Sequence, residues 1–312
     1  MSMAMTGTLT GAAVHSSEAL SGPQGKKPRK LFDPARILIY TVLIVAAIFY
    51  LFPLYVMVIT SLKDLDAIRY GNLFVPTTTP SFDPWIKAWD TACTGLYCDG
   101  IKVGFWNSVK ITVPSVIVSI AVASVTGYAL AMWPYKGANF FFTVLLLGSF
   151  IPYQVMLYPL VIITGFFKIF STLWAVIVIH TIFGMPILVL LFRNYFVSIP
   201  PELFKAARVD GAGFWRIYAQ VLMPMSLPIF VVALILQVTG IWNDFLFGVI
   251  FAGTTNFPIT VQLNNIVNSL QGVKEYNVDM AATILTGAVP LFIYFVSGKL
   301  FVRGIAAGAV KG

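Results

Sequence analysis

The sequence predicts an all-α membrane protein with six transmembrane helices and both termini in the cytoplasm. Three observations carry this. First, the 312-residue chain is 58% hydrophobic and 10% charged, with a mean hydropathy of +0.87. A soluble domain carries about 25% charged residues, so most of this surface is not built for water. Second, six apolar runs, at about 37–60, 105–133, 139–164, 172–195, 224–251 and 279–301, each reach the roughly 20 residues that a spanning helix needs. A soluble helical core would instead show polar faces at helical period. Third, with the N-terminus inside, the cytoplasmic segments hold thirteen Lys and Arg, among them Lys26, Lys27, Arg29, Lys30, Arg193, Lys205 and Arg208. The outer segments hold six: Lys63, Arg69, Lys87, Lys102, Lys168 and Lys274. That asymmetry is the positive-inside pattern. It also accounts for the net charge of +8 without invoking nucleic acid.

Residues 1–34 read as a disordered cytoplasmic tail, rich in Ser, Gly and Thr. They have no apolar h-region, so no cleavable signal peptide is expected. The basic run Lys26-Lys27-Pro28-Arg29-Lys30 acts as an orientation signal. A transmembrane domain is expected over 35–303, with a long outer loop at 61–104 rich in Pro, Asp, Trp and Thr. That loop carries Cys93 and Cys98. A disulfide is the favoured reading on an oxidising face, worth about 2 kcal/mol for so short a closure; free thiols are the alternative. A metal site would need further ligands, and the loop contains no His. In the third run, Pro152 and Pro159 are expected to kink or interrupt the helix, which membranes tolerate beside protein or a cavity. Trp106, Trp133 and Trp174 fall near predicted span ends, as an aromatic belt requires.

The cytoplasmic segment 196–223 separates the fourth and fifth runs. Ser198 suits an N-cap, Pro200 or Pro201 the first helical turn, and Glu202 its positive end. A helix is expected over about 200–208. Asp210-Gly211 then permits a sharp reversal, and a second short helix starts near Phe214. Ala206, Ala207, Gly211, Ala212 and Gly213 leave part of this elbow almost without side chains. Such a surface is suited to fitting into something on the cytoplasmic side.

At these residues the chain resembles the permease subunits of binding-protein-dependent ABC importers. Their signature runs Glu-Ala-Ala, three residues, Gly, then Ile and Leu-Pro. Here it reads Glu202, Ala206, Ala207, Asp210, Gly211, Ile217, Leu222 and Pro224. Two departures stand out: Glu202 lies four residues before Ala206, with Lys205 directly preceding the Ala pair, and Met223 separates Leu222 from Pro224. The resemblance implies that Glu202, Lys205, Ala206, Ala207, Asp210 and Gly211 form a coupling segment that docks in a cleft of an ATPase subunit. The C-terminal stretch 304–312, "GIAAGAVKG", resembles the tail of the smaller permease of maltose-type importers. It implies that Gly304, Gly308, Lys311 and Gly312 reach between two ATPase subunits. Over 35–312 the resemblance implies a type I ABC importer permease fold, one N-terminal span ahead of a five-helix core, in a bacterial inner membrane. It further implies a second homologous permease, two ABC ATPases and a periplasmic or extracellular sugar-binding protein. ATP and Mg2+ would sit on the partners. This chain has no G-x-x-x-x-G-K-[ST] loop, and no cofactor of its own is expected.

Polar residues inside a membrane are costly and face protein or a cavity. In the fifth run Gln237, Gly240 and Asp244 share one helical face, with Trp242 and Asn243 beside it. In the third run Gln154 and Tyr158 share a face, with Tyr153 adjacent. Together they offer the amides, carboxylate and aromatic planes that a sugar needs, and they are the expected solute path. The alternative is hydrogen bonding between helices, or a loop anchor in the case of Asp244. His180 stands alone in the fourth run and is expected to be a buried, satisfied histidine, with a proton relay as the alternative. The loop around "CTGLYCDGIKVGFWNSV" resembles importers of glucose or mannose, so a monosaccharide is expected, with an oligosaccharide or alpha-glucoside as the alternative. A self-sufficient carrier or channel would need repeats of interrupted helices or a chain of intramembrane acids, and only Asp244 qualifies.

Overall fold

The computed structural model describes residues 34–95, 97–133, 135–269 and 273–309, the last stretch by its backbone alone beyond Gly298. Of the expected tail 1–34, only Pro34 falls within the described residues, where it opens the first helix. Among the described residues every regular element is helical.

The outer and spanning elements run α1 (Pro34–Ser61), α2 (Leu65–Tyr70), α3 (Asp83–Asp90), α4 (Lys102–Met132), α5 (Ala138–Ser149), α6 (Tyr153–Phe166) and α7 (Leu173–Ser198). The elbow comes next as α8 (Pro201–Val209) and α9 (Phe214–Ile217), a π-helical turn (Tyr218–Leu222) and α10 (Met223–Met225). The chain ends in α11 (Leu227–Trp242), α12 (Leu246–Phe251), a 3-10 turn (Thr254–Asn256), α13 (Ile259–Val267) and α14 (Tyr276–Ala309).

The chain divides at Leu51 into two units. The first contributes residues 34–51 of α1, whose apolar side chains, Phe49 and Tyr50 among them, are exposed as lipid contact requires. The second unit holds everything from Phe52 onward and contains the buried core.

Among the described residues, four helices are long and apolar enough to cross a membrane without a sharp break: α1, α4, α7 and the stretch Tyr276–Gly298 of α14. The third apolar run is broken between α5 and α6, which meet at 102°. Pro152 is the cause at the residue level, because it lacks an amide hydrogen and forces Ile151 away from helical geometry. Pro159, by contrast, stays within α6. The fifth run starts with an 81° bend between α9–α10 and α11. At that bend Ser226 Oγ turns back to Leu222 O at 2.6 Å. The run stops again at Trp242 and resumes as α12. Six spans are therefore present only if each bent pair is counted as one.

The core is built on α4 and α7. They run parallel, with Ser115 meeting Ile177 and Gly127 meeting Phe192. A Cβ on Gly127 would lie 2.7 Å from Phe192 Cβ and 2.8 Å from the Arg193 backbone nitrogen. The backbone cannot give way, so Gly127→Ala should destabilise the protein by about 1–3 kcal/mol. The check is a lowered thermal unfolding midpoint of the solubilised chain.

At the end assigned to the outside, the long loop is folded onto α13 and α14. Lys63 is buried and donates to Asn72 O at 2.8 Å and Leu73 O at 3.1 Å. Lys102 pairs with Asp90, Lys87 with Glu275 and Lys274 with Asp279. Four of the six outer cations are thus tied to local partners. Cys93 and Cys98 are joined by a disulfide. Its small ring is held to α13 by Asn265 Nδ2, which donates to Thr94 O at 3.1 Å.

Candidate functional sites on the elbow and in the membrane cavity

The elbow begins at Pro200, which sits at the N-cap of α8. Ser198 does not serve there: it ends α7, and its Oγ donates to Tyr195 O at 2.7 Å. Glu202 lies in the first turn of α8, where the helix dipole favours a carboxylate. The far end is a complete Schellman closure. Gly211 N–H donates to Arg208 O at 3.1 Å and Ala212 N–H to Ala207 O at 2.9 Å. Gly211 has φ +75°, and a Cβ there would meet nothing within 4 Å. The position therefore needs glycine for its backbone conformation, not for space.

Glu202, Lys205, Ala206, Asp210 and Gly211 are exposed. Glu202, Ala206 and Asp210 recur at four-residue spacing and so share a face of α8 and its cap. Ala207 is half-buried and packs with Ala212 and Phe204 against the inner core. It supports the surface from beneath and does not form it.

The second region is a cavity of about 650 Å³ lined by Tyr153, His180, Gly184, Gln237, Asn243 and Asp244, with Phe247 as an aromatic wall. Asp244 sits beyond the end of α11 and caps α12. Its Oδ1 accepts Phe247 N–H at 3.2 Å and its Oδ2 accepts Gly248 N–H at 2.9 Å. Its carbonyl also accepts the Thr260 hydroxyl, which ties the break to α13. His180 Nε2 lies 3.5 Å from Asp244 Oδ2 and is buried without a hydrogen bond. Among the described residues no protein group hydrogen-bonds His180 Nε2; the break after Trp242 instead brings a carboxylate from outside its own span beside it. No spacing in the sequence signals that encounter.

The expected solute-path residues divide. Tyr153, Gln237, Asn243 and Asp244 line the cavity together. Gln237 also donates from Nε2 to Ser119 Oγ at 2.7 Å, a bond between α11 and α4. Trp242 is turned away: it is 2% exposed, and its Nε1 donates to Thr286 O at 2.9 Å. Gln154 and Tyr158 lie on an exposed flank of α6, outside the cavity lining. Of these three residues only Tyr153 lines the cavity, with its ring 5.7 Å from Phe247. Of the tail residues, Gly304 and Gly308 continue α14, which runs through Ala309, while Lys311 and Gly312 fall outside the described residues. A separate cavity of about 740 Å³ opens at the outer end, lined by Tyr97, Asp99, Thr254, Gln262, Asn265 and Asn268 among others.

Comparison with known proteins adds three findings. The family described as "binding-protein-dependent transport system inner membrane component" matches residues 119–307. Among curated relatives, a probable ABC transporter permease of Pyrococcus horikoshii is 35% identical, over 90% of this chain and 98% of that one. The alpha-glucoside transport system permease of Rhizobium meliloti is 33% identical, over 81% of this chain and 67% of its own length. Among solved structures, a bacterial ABC transporter that imports the acidic polysaccharide alginate superposes with a TM-score of 0.70. It is 18% identical and covers 86% of this chain and 98% of that one. That last likeness concerns the fold.

Proposed function

The chain belongs to the binding-protein-dependent transport system inner membrane component family and is a multi-pass permease subunit of a sugar ABC importer; from that premise we propose how it couples and what it carries. The observation that carries the proposal is the elbow. It offers an exposed face of Glu202, Lys205, Ala206 and an Asp210-Gly211 cap, and its reverse side is packed into the inner core. A short helix closed by a fixed turn, with Ala206 and Gly211 small at its surface, suits a cleft on a partner. Glu202, Lys205, Ala206, Asp210 and Gly211 dock on an ABC ATPase, Ala207 holds the docking face from behind, and ATP and Mg2+ stay on the ATPase pair. The helical tail with Gly304 and Gly308 extends toward the same partners, with Lys311 and Gly312 beyond it.

A second, homologous permease completes the pathway in the bacterial inner membrane, and a sugar-binding protein docks over the outer loops. Tyr153, Gln237, Asn243 and Asp244 supply this chain's share of the solute path. The carried solute is a monosaccharide such as glucose or mannose, a reading that rests on the loop from Cys93 to Val109. The Rhizobium meliloti relative's alpha-glucoside name favours the alternative of a larger glucoside.

The test is ATP hydrolysis by the complex purified through a tag on this chain, with its binding protein and a panel of sugars. Stimulation by glucose or mannose is the expected result. Stimulation by disaccharides alone would keep the mechanism and discard the monosaccharide. Purification without any ATPase would remove the coupling assignment.

A further inference from the structure

We propose that Tyr128 and Trp133, at the inner end of α4, form a strut that carries movement of the elbow into the membrane domain. The inference rests on the coupling reading above and assigns the next link in it.

Neither covalent connection of the elbow is a continuous α-helix. From α7 the chain reaches α8 through Ile199, which is extended, and Pro200, neither of them helical. Beyond α9 it passes through the π-helical turn and then the 81° bend before α11. π-Turns and proline-flanked bends interrupt the i→i−4 hydrogen-bond ladder of a helix. A push on α8 therefore has no unbroken helix to travel along into α7 or α11.

The non-covalent connection is of a different kind. The Trp133 ring lies 5.7 Å from Phe204 on α8 and 5.5 Å from Phe214 on α9, so one indole touches both limbs of the elbow. The Arg208 guanidinium sits over the same ring at 5.2 Å. Trp133 Nε1–H donates to Tyr128 Oη at 2.6 Å, and Tyr128 Oη–H donates to Phe214 O at 3.1 Å. Tyr128 is wholly buried, and its ring packs 4.6 Å from Phe214. Residues one turn earlier on α4 add a second tie, where Ser124 Oγ and Tyr218 Oη are 2.7 Å apart. The tyrosine spends its one proton on the elbow's backbone and a lone pair on the indole. Phenylalanine can do neither. From Gly127, α4 is in turn pressed backbone-close to α7. The path from elbow to bundle is therefore short: ring contacts join α8 to the half-buried Trp133, and hydrogen bonds run from Trp133 through the buried Tyr128 to α9, whereas no unbroken helix joins them. Tyr128 and Trp133 are positioning residues: they touch neither solute nor nucleotide.

The experiment uses the whole importer, with both permeases, the ATPases and the binding protein, reconstituted in vesicles. Tyr128→Phe keeps the ring and removes both hydrogen bonds, and Trp133→Phe keeps an aromatic plane and removes the donor. The expected result is that ATPases still co-purify and basal hydrolysis persists, while uptake per ATP hydrolysed falls about tenfold. Unchanged uptake per ATP in both variants would overturn the strut. So would a proportional loss of uptake, hydrolysis and folded complex, which marks a merely structural role. Trp133→Phe decides the matter if Tyr128→Phe does not fold. Ala206→Trp, on the docking face, separates the two layers. If it detaches the ATPases while Tyr128→Phe is silent, only the strut falls. If it leaves ATPases bound and uptake normal, the coupling reading falls and takes the strut with it.

Discussion

Ala206→Trp should strip the ATPase subunits from the purified complex and cut sugar uptake by at least about tenfold, equivalent to a lost docking energy of about 1.4 kcal/mol or more. Ala206 is exposed on α8, between Glu202 and Asp210 on the shared face. An indole there points away from this chain's own core, so insertion and folding should survive. A bulky group on a face meant for a cleft has to be accommodated by the partner, and a packed interface resists that. Ala206→Ser, which keeps the side chain small, should leave both readouts near the parent. Co-purification and vesicle uptake measured together decide the matter. Normal uptake by the tryptophan variant would mean that this face does not dock. Gly211 is a less direct probe, because any side chain there meets the cost of left-handed backbone, roughly 1 kcal/mol, and distorts the elbow before it reaches a partner.

The second large effect is expected at Asp244. Asp244→Ala removes the acceptor for two N–H groups of α12 and the carboxylate beside His180. Loss of a helix cap costs about 1 kcal/mol, and a buried donor left unpaired costs about 1–3 kcal/mol. The expected outcome is a lower unfolding midpoint together with uptake reduced by about tenfold or more, since the cavity wall around Asn243 and Phe247 depends on this turn. Asp244→Asn retains one acceptor oxygen and drops the charge. It should keep most of the stability and lose uptake only to the extent that the charge itself serves the solute. Thermal unfolding and uptake of the two variants side by side distinguish an anchor from a solute contact. Uptake unaffected by either change would take Asp244 out of the pathway.

Much of this protein is legible in its amino-acid order alone. Apolar run lengths define where helices cross, because a bilayer sets a minimum length whatever the fold. Prolines mark one of the breaks, since a missing amide hydrogen acts within its own turn: Pro152 ends one helix and Pro200 precedes another. Asp210-Gly211 announces the reversal that the Schellman closure makes. These are local effects, decided within a few residues of the side chain responsible. The facing of side chains is not legible in the same way. Gln154, Tyr158 and Trp242 have the right chemistry for a solute path, yet the first two lie on an outer flank and the third is consumed by Thr286. His180 meets Asp244, and Tyr128 meets Trp133 and Phe214, across separations that no periodicity encodes. In a soluble helix the contrast between polar and apolar faces tells which side turns inward. In helices apolar on every side that contrast is missing. Which face meets protein, lipid or cavity is then settled only by close approaches such as Gly127 against Phe192, and by the bends at Pro152 and Ser226 that re-aim α6 and α11.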